Sequence, residues 1–196
     1  MLTGLVAGVN PHRFDYAKPT RRVERFSDID FASLAACGYN YGLFDVDNTL
    51  ALRRSNVVAT PILETIRAAQ ACGHLQGVAL VSNAVWPSRR RLARLTAIRD
   101  QIGPNTVLVA AYLPRIKPHP WPFRRALDLL GATTRRTIVV GDQIFTDIAG
   151  ANRLGGGIHT IWVPPLGDDA WFTRGRRAKE TWVFDKIWGG KIDPRS

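Results

Sequence analysis

Five short apolar runs punctuate the chain at intervals of roughly 30 residues: YGLFDV from Tyr41, GVALVS from Gly77, TVLVAA from Thr106, TIVVGD from Thr137 and IHTIWV from Ile158. A strand with one wet face alternates apolar and polar residues. These runs are nearly continuous, the pattern of strands buried on both faces because helices cover both sides of a parallel sheet. The segments between them read as helices. Residues 61–71 carry Ile62, Ile66 and Ala69 at helical spacing, with Pro61 in the first turn, where no amide donor is needed, and Gly73 beyond the end. Residues 88–100, 120–130 and 146–154 fit the same description, the last two stopped by Gly131 and Gly155. The alternation predicts a three-layer, doubly wound, Rossmann-like α/β sheet of about five parallel strands joined by right-handed crossovers.

With 196 residues, 45% of them hydrophobic and 22% charged, the chain has room for one sizeable core but not for two tandem enzymes, and it is not a disordered tail. The predicted organisation is a basic N-terminal segment (1–40), a catalytic core (41–165) and a basic, aromatic C-terminal tail (166–196). No apolar run approaches the ~20 residues a membrane-spanning helix needs. The opening MLTGLVAGVN lacks a basic start and a long apolar core, so the expectation is a chain that stays inside a cell. Cys37 and Cys72 have no metal-ligand spacing and read as reduced core thiols. Lys and Arg total 27 against 16 Asp and Glu, a net charge of +11, which favours an anionic partner: nucleic acid, an anionic membrane surface or a phosphorylated substrate.

In a doubly wound sheet the ligand lies beyond the carboxyl ends of the strands, so polar residues there carry the chemistry. The run FDVDNTL puts Asp45 at a strand end and Asp47 two residues on; one carboxylate can attack while the other handles protons. GDQIFTD adds Asp142 and Asp147 at another strand end. Acids brought this close repel unless a cation joins them, and an all-oxygen donor set suits a hard divalent ion, Mg2+. Ser82 can donate to a phosphate oxygen, and Lys117 of RIKPHP supplies a fixed positive charge for a transferring phosphoryl group. Each element alone has an ordinary reading as a turn, a helix cap or a solvated lysine. Acid pair, hydroxyl, lysine and acid pair in this order, each after a predicted strand, point to one phosphoryl-transfer site.

The chain thereby resembles the haloacid dehalogenase (HAD) superfamily of phosphatases over about residues 41–163. The resemblance implies Asp45 as the nucleophile forming an aspartyl-phosphate, and Asp47 as the acid and base. It implies Mg2+ held by the Asp45 and Asp142 carboxylates and the Asp47 main-chain carbonyl, with Asp147 supporting the metal or Lys117, and Ser82 and Asn83 on the phosphate. FDVDNTL, VSNA, KP and the long GDQIFTDIAGANRLG resemble more narrowly the YqeG-like branch, which includes the mitochondrial phosphatidylglycerophosphate phosphatases. KPHPWPF after Lys117 departs from the usual pattern of that loop.

Larger members of the superfamily insert a cap after the first motif or between the second and third. Here residues 50–77 leave room for a short flap and one helix, and 83–117 for a helix, a strand and a loop. The expected site has no cap domain and is open, suited to a phosphate presented on something large. The tail interleaves Trp171, Phe172, Trp182, Phe184 and Trp188 with Arg174, Arg176, Arg177, Lys179 and Lys186, which suits either a lipid interface or aromatic packing on the sheet. Leu2, Leu5, Val6 and Val9 form a short apolar stripe with the same two readings. Arg89, Arg90, Arg91, Arg94 and Arg99 lie on the predicted helix after the second motif, as a solvated face or with Arg89 or Arg90 on a second phosphate or an anionic surface. With Trp171 and Arg174, these are the candidate substrate or membrane contacts. The functional expectation is a Mg2+-dependent phosphomonoesterase acting on phosphatidylglycerophosphate, with a phosphorylated lipid head group and an anionic membrane as partners. It would be cytoplasmic and peripheral on the inner membrane, or on the matrix side in a eukaryote. A polynucleotide-end or phosphoprotein phosphatase and a non-catalytic interaction module are the alternatives, so nucleic acid stays open as a partner.

Overall fold

The structure, a computed structural model, describes residues 11–167 and 171–190. Its centre is a six-stranded, all-parallel sheet of β1 (Arg21–Arg22), β2 (Tyr41–Phe44), β3 (Gly77–Val85), β4 (Val107–Tyr112), β5 (Thr137–Gly141) and β6 (His159–Trp162), in the order β1-β6-β5-β2-β3-β4. Five strands coincide with the five apolar runs. The sixth, β1, pairs Arg21 with Ile161 and Arg22 with Trp162 at the sheet edge; two exposed arginines carry no apolar signal, so the pattern does not reveal it.

The continuous apolar runs are explained by the two covered faces. Phe44, Val78, Leu80, Ile138 and Val140 point to one side, where they pack with α1 (Phe31–Ala36), α2 (Thr60–Ala71) and α3 (Arg89–Ile102). Their neighbours Leu43, Ala79, Val81 and Val139 point to the other, against α4 (Trp121–Leu130). Strand side chains alternate between faces, so a strand covered twice has no polar position to spend. Helix ends follow local chemistry. The Ser88 hydroxyl accepts from the Arg91 amide at the start of α3, and Gly131, at φ +62°, lets α4 end in a left-handed residue.

Two expectations are corrected. Cys37 and Cys72 are free but exposed rather than in the core, because each sits just past the end of a helix, α1 and α2 respectively. The helix expected over 146–154 is a π-helical turn, Ile144–Ile148, followed by the short α5 (Ala149–Asn152). The wide turn arises where the Ile148 amide reaches the Gln143 carbonyl, five residues back. A last helix, α6 (Trp171–Trp182), runs into a second π turn, Val183–Ile187, whose Val183 and Phe184 are buried. The Phe184 ring lies 5.0 Å from that of Trp162, so this part of the tail packs on the domain, while Trp182 is exposed. The apolar stripe at residues 2–9 lies outside the described residues. No described helix is long and apolar enough to cross a membrane.

From β2 the chain steps outward to β3 and β4, then crosses back to β5 on the other flank of β2. The carboxyl ends of β2 and β5 therefore meet where the winding reverses, at the crevice that such sheets offer to ligands.

His159 at the start of β6 is buried, with its Nε2 unpartnered and its ring 5.1 Å from that of Tyr39. Burial, and secondarily Arg21, pull its pKa from 6.5 down to about 4. The unfolded chain binds this proton near 6.5 and the fold only near 4, so stability present above pH 6.5 is lost as pH falls toward 4. Because the raised pKa values of Asp147 and Asp142 act in the opposite direction, the test is the difference: the urea midpoint of His159→Leu relative to wild type is expected to be higher at pH 5 than at pH 7.

Candidate active site

Asp45 continues the path of β2, its amide donating to Val140 at 2.9 Å, so its carboxylate emerges at the reversal point. Lys117 reaches the same spot from the loop after β4. Its Nζ donates to Asp45 Oδ1 at 2.5 Å, to the Val81 carbonyl at 2.8 Å and pairs with Asp147 Oδ1 at 2.7 Å. Lys117 and Asp147 side chains are each 3% exposed. Burial alone would push the ammonium toward neutrality, but Asp147 and Asp45 outweigh it and raise its pKa. Asp147 is lifted to about 6, by burial first, against the lowering pull of Lys117. The Thr49 hydroxyl bridges Asp45 Oδ2 at 3.1 Å and Asp142 Oδ1 at 3.3 Å.

Asp142 follows β5 and is fully buried; burial, then the neighbouring Asp45 and Asp147, raise its pKa well above the usual carboxylate value. It caps no helix. Arg177 of α6 donates to its Oδ2 at 2.6 Å and to its main-chain oxygen, and also pairs with the buried Glu180 at 3.3 Å. Glu180 in turn accepts from the Phe145 amide at 3.2 Å. The sequence shows Arg177 and Glu180 only as members of a basic, aromatic tail. Their spacing, one helical turn apart with an opposite charge, is the sole local hint.

Asp47 stands apart from this cluster. Arg91 and Arg94 of α3 hold it from both sides, Arg91 Nη2 at 3.0 Å from Oδ2 and Arg94 on Oδ1. Arg91 also donates to the Asn83 carbonyl at 2.5 Å, and Arg94 to that of Ser55 at 2.8 Å. Through Arg91 and Arg94 the first turns of α3 thus reach Asp47. Arg90 lines the adjoining groove and Arg89 does not.

Ser82 is buried near the end of β3. Asn83, expected on the phosphate, instead clamps the Lys117 main chain: its Oδ1 accepts from the Lys117 amide at 2.8 Å and its Nδ2 donates to the Lys117 carbonyl at 3.2 Å. The side chains of Trp171 and Arg174 lie outside the described residues. One carboxylate oxygen from each of Asp45, Asp142 and Asp147 lies within 4.8 Å of the others, a buried all-oxygen set that fits a hard divalent cation. The Asp47 carboxylate is not part of it.

A family model described as HAD-hydrolase-like matches residues 115–170, the segment that carries Lys117, Asp142 and Asp147. Glyceraldehyde 3-phosphate phosphatase of Pyrococcus abyssi (strain GE5 / Orsay) is 27% identical over 154 residues, covering 78% of this chain and 57% of that protein; the chain spans little more than half of that relative's length. The crystal structure of an uncharacterized protein from Listeria monocytogenes serotype 4b is similar at a TM-score of 0.50 and 22% identity, over 67% of this chain and 84% of that one. A haloacid dehalogenase-like family hydrolase from Xanthomonas campestris has a TM-score of 0.43 and 11% identity, over 79% and 95% of the two chains. The likeness to the Listeria protein is one of fold, and residues 115–170 are similar to the HAD-hydrolase-like family model.

Gly141, the last residue of β5, is required by this packing: a Cβ there would fall 2.4 Å from that of Asp147 and 2.6 Å from its carboxylate oxygen. Gly141→Ala is expected to displace Asp147 from Lys117 and to lower the urea unfolding free energy by about 1–3 kcal/mol.

Proposed function

We propose that this chain is a Mg2+-dependent phosphomonoesterase that works through an aspartyl-phosphate on Asp45, and that it converts phosphatidylglycerophosphate to phosphatidylglycerol at an anionic membrane surface. The observation that carries the chemistry is the Lys117 ammonium bonded to both Asp45 and Asp147 beside Asp142, at the crevice of a HAD-like sheet.

In this reading an Asp45 carboxylate oxygen attacks phosphorus, the bond to the leaving oxygen breaks, and Asp47 gives that oxygen its proton. Asp47 then takes a proton from a water, which attacks phosphorus, breaks the bond to Asp45 and releases inorganic phosphate. Lys117 holds Asp45 in place through the bond to its Oδ1, and its charge offsets the charge on the transferring group. Arg91 and Arg94 fix the direction in which Asp47 points. Asp45 and Asp142, with the Asp47 main-chain carbonyl and Asp147 in support, would hold Mg2+, which would supply positive charge against the phosphoryl oxygens. Arg177 then has a structural task, holding Asp142 in place from α6.

The lipid substrate is supported by access. Between residues 50 and 77 there is only a loop and α2, and between 83 and 117 only α3, β4 and the lysine loop. No described element forms a lid, so a small metabolite would not be enclosed, whereas a head group standing out of a bilayer could reach Asp45.

Phosphate release from phosphatidylglycerophosphate in vesicles, with Mg2+ and with chelator, tests both levels. Wild type is expected to release phosphate only with Mg2+, and Asp45→Asn to lose on the order of a thousandfold or more in kcat. Release from soluble esters but not from the lipid would overturn the substrate assignment alone; full turnover by Asp45→Asn would overturn the chemistry.

A further inference from the structure

A groove of about 1060 Å³ opens directly beside Asp47, between the loop after β2 and the first turns of α3. Arg53, Arg54, Arg90, Arg91 and Arg94 line it, and Asp47 is its one acidic lining residue. Two of these arginines are spent on Asp47. The groove therefore holds a cationic excess that the catalytic residues do not consume. Arg90, Ala93, Arg94 and Ala97 present one face of α3, and the two alanines leave room for a ligand to lie against the helix between the guanidinium groups. The Arg91 Nε is buried with no partner.

The backbone around this opening is held in unusual conformations. Asn48, Arg54 and Val85 are the non-glycine residues at positive φ among the described residues, at 66°, 71° and 62°. For a β-branched residue such as Val85 that is an outlier, and it coincides with a shift of register between β3 and β4. The result carries Trp86, 68% exposed, to the groove wall. Leu52, Val57 and Val85, sequence neighbours of lining residues, are exposed as well. A basic groove flanked by exposed apolar side chains matches an amphipathic ligand, an anionic head group with hydrocarbon beside it.

We propose that this groove binds a second phosphoryl group of the same substrate molecule: the phosphodiester of a phospholipid whose terminal phosphomonoester sits at Asp45, with Trp86, Leu52 and Val57 against the lipid interface. The inference rests on the phosphatase reading for the identity of the first phosphate, and it names what selects the substrate. Arg54 and Arg90 are the selecting residues. Planar guanidinium groups grip phosphate through paired N–H donors, so their loss falls on substrates that carry the diester.

The test compares glycerophosphoglycerol phosphate, the deacylated head group, with glycerol 3-phosphate, which lacks the diester, and with a 5′-phosphorylated oligothymidylate. Wild type is expected to favour the head group over glycerol 3-phosphate by about tenfold or more in kcat/KM, and Arg54→Ala/Arg90→Ala to bring that ratio close to one. An unchanged ratio in the double variant, or a preference for the oligonucleotide over the head group, overturns the proposal. Calorimetric titration of Asp45→Asn with the head group separates the two claims. If wild type hydrolyses neither the vesicle lipid nor any of the three, yet the head group binds and loss of the arginine pair weakens that binding tenfold, the phosphatase reading fails while the groove stands. Binding that ignores the arginine pair overturns the groove whatever the enzyme hydrolyses.

Discussion

A single ammonium group, Lys117 Nζ, makes the carboxyl ends of β2 and β5 compatible. Asp142 and Asp147 are buried and Asp45 is largely so, and the three are crowded together where little water can screen them. Without a cation among them their mutual repulsion and desolvation would each cost several kcal/mol. Lys117 meets two of the three directly, and much of the local architecture exists to deliver it. Asn83 holds its main chain at both the amide and the carbonyl, and the Val81 carbonyl takes a third ammonium proton. Gly141 lacks the side chain that would push Asp147 away.

Charge balance extends outward from that pair in a regular way. Asp142, out of the lysine's reach, is met by Arg177 from α6, and Asp47 by Arg91 and Arg94 from α3. Five carboxylates, counting the Glu180 that Arg177 also meets, thus face four cationic side chains drawn from three separate segments. Under the proposed function this divides the labour: the buried acids would hold a metal and a phosphoryl group, while Asp47, partly exposed, lines the groove.

How much of this the sequence discloses depends on whether a residue's role is local. The five apolar runs revealed their strands because burial on two faces leaves a mark in every residue. Asp45, Lys117, Asp142 and Asp147 were legible because strand-end acids and a lone lysine after a strand have few other uses in combination. Arg177 was not, since its partner lies 35 residues away and its own neighbourhood reads as a basic tail. The resemblance implies Asn83 on the phosphate, and only the fold shows its amide turned to the Lys117 loop. β1 escaped because pairing at an edge needs backbone alone. The exposure of Cys37 and Cys72 is set by their places just past the ends of α1 and α2, which the absence of metal-ligand spacing does not reveal.

The central claim is that Asp45 accepts a phosphoryl group under the charge of Lys117. Crystals of the protein grown with Mg2+ and beryllofluoride, which adds to a carboxylate as a phosphoryl mimic, address it most directly. The account predicts a beryllofluoride adduct on an Asp45 oxygen, with Lys117 still bonded to that residue and an ion shared by Asp45 and Asp142. An unmodified Asp45, with the adduct or the ion bound elsewhere, would contradict it.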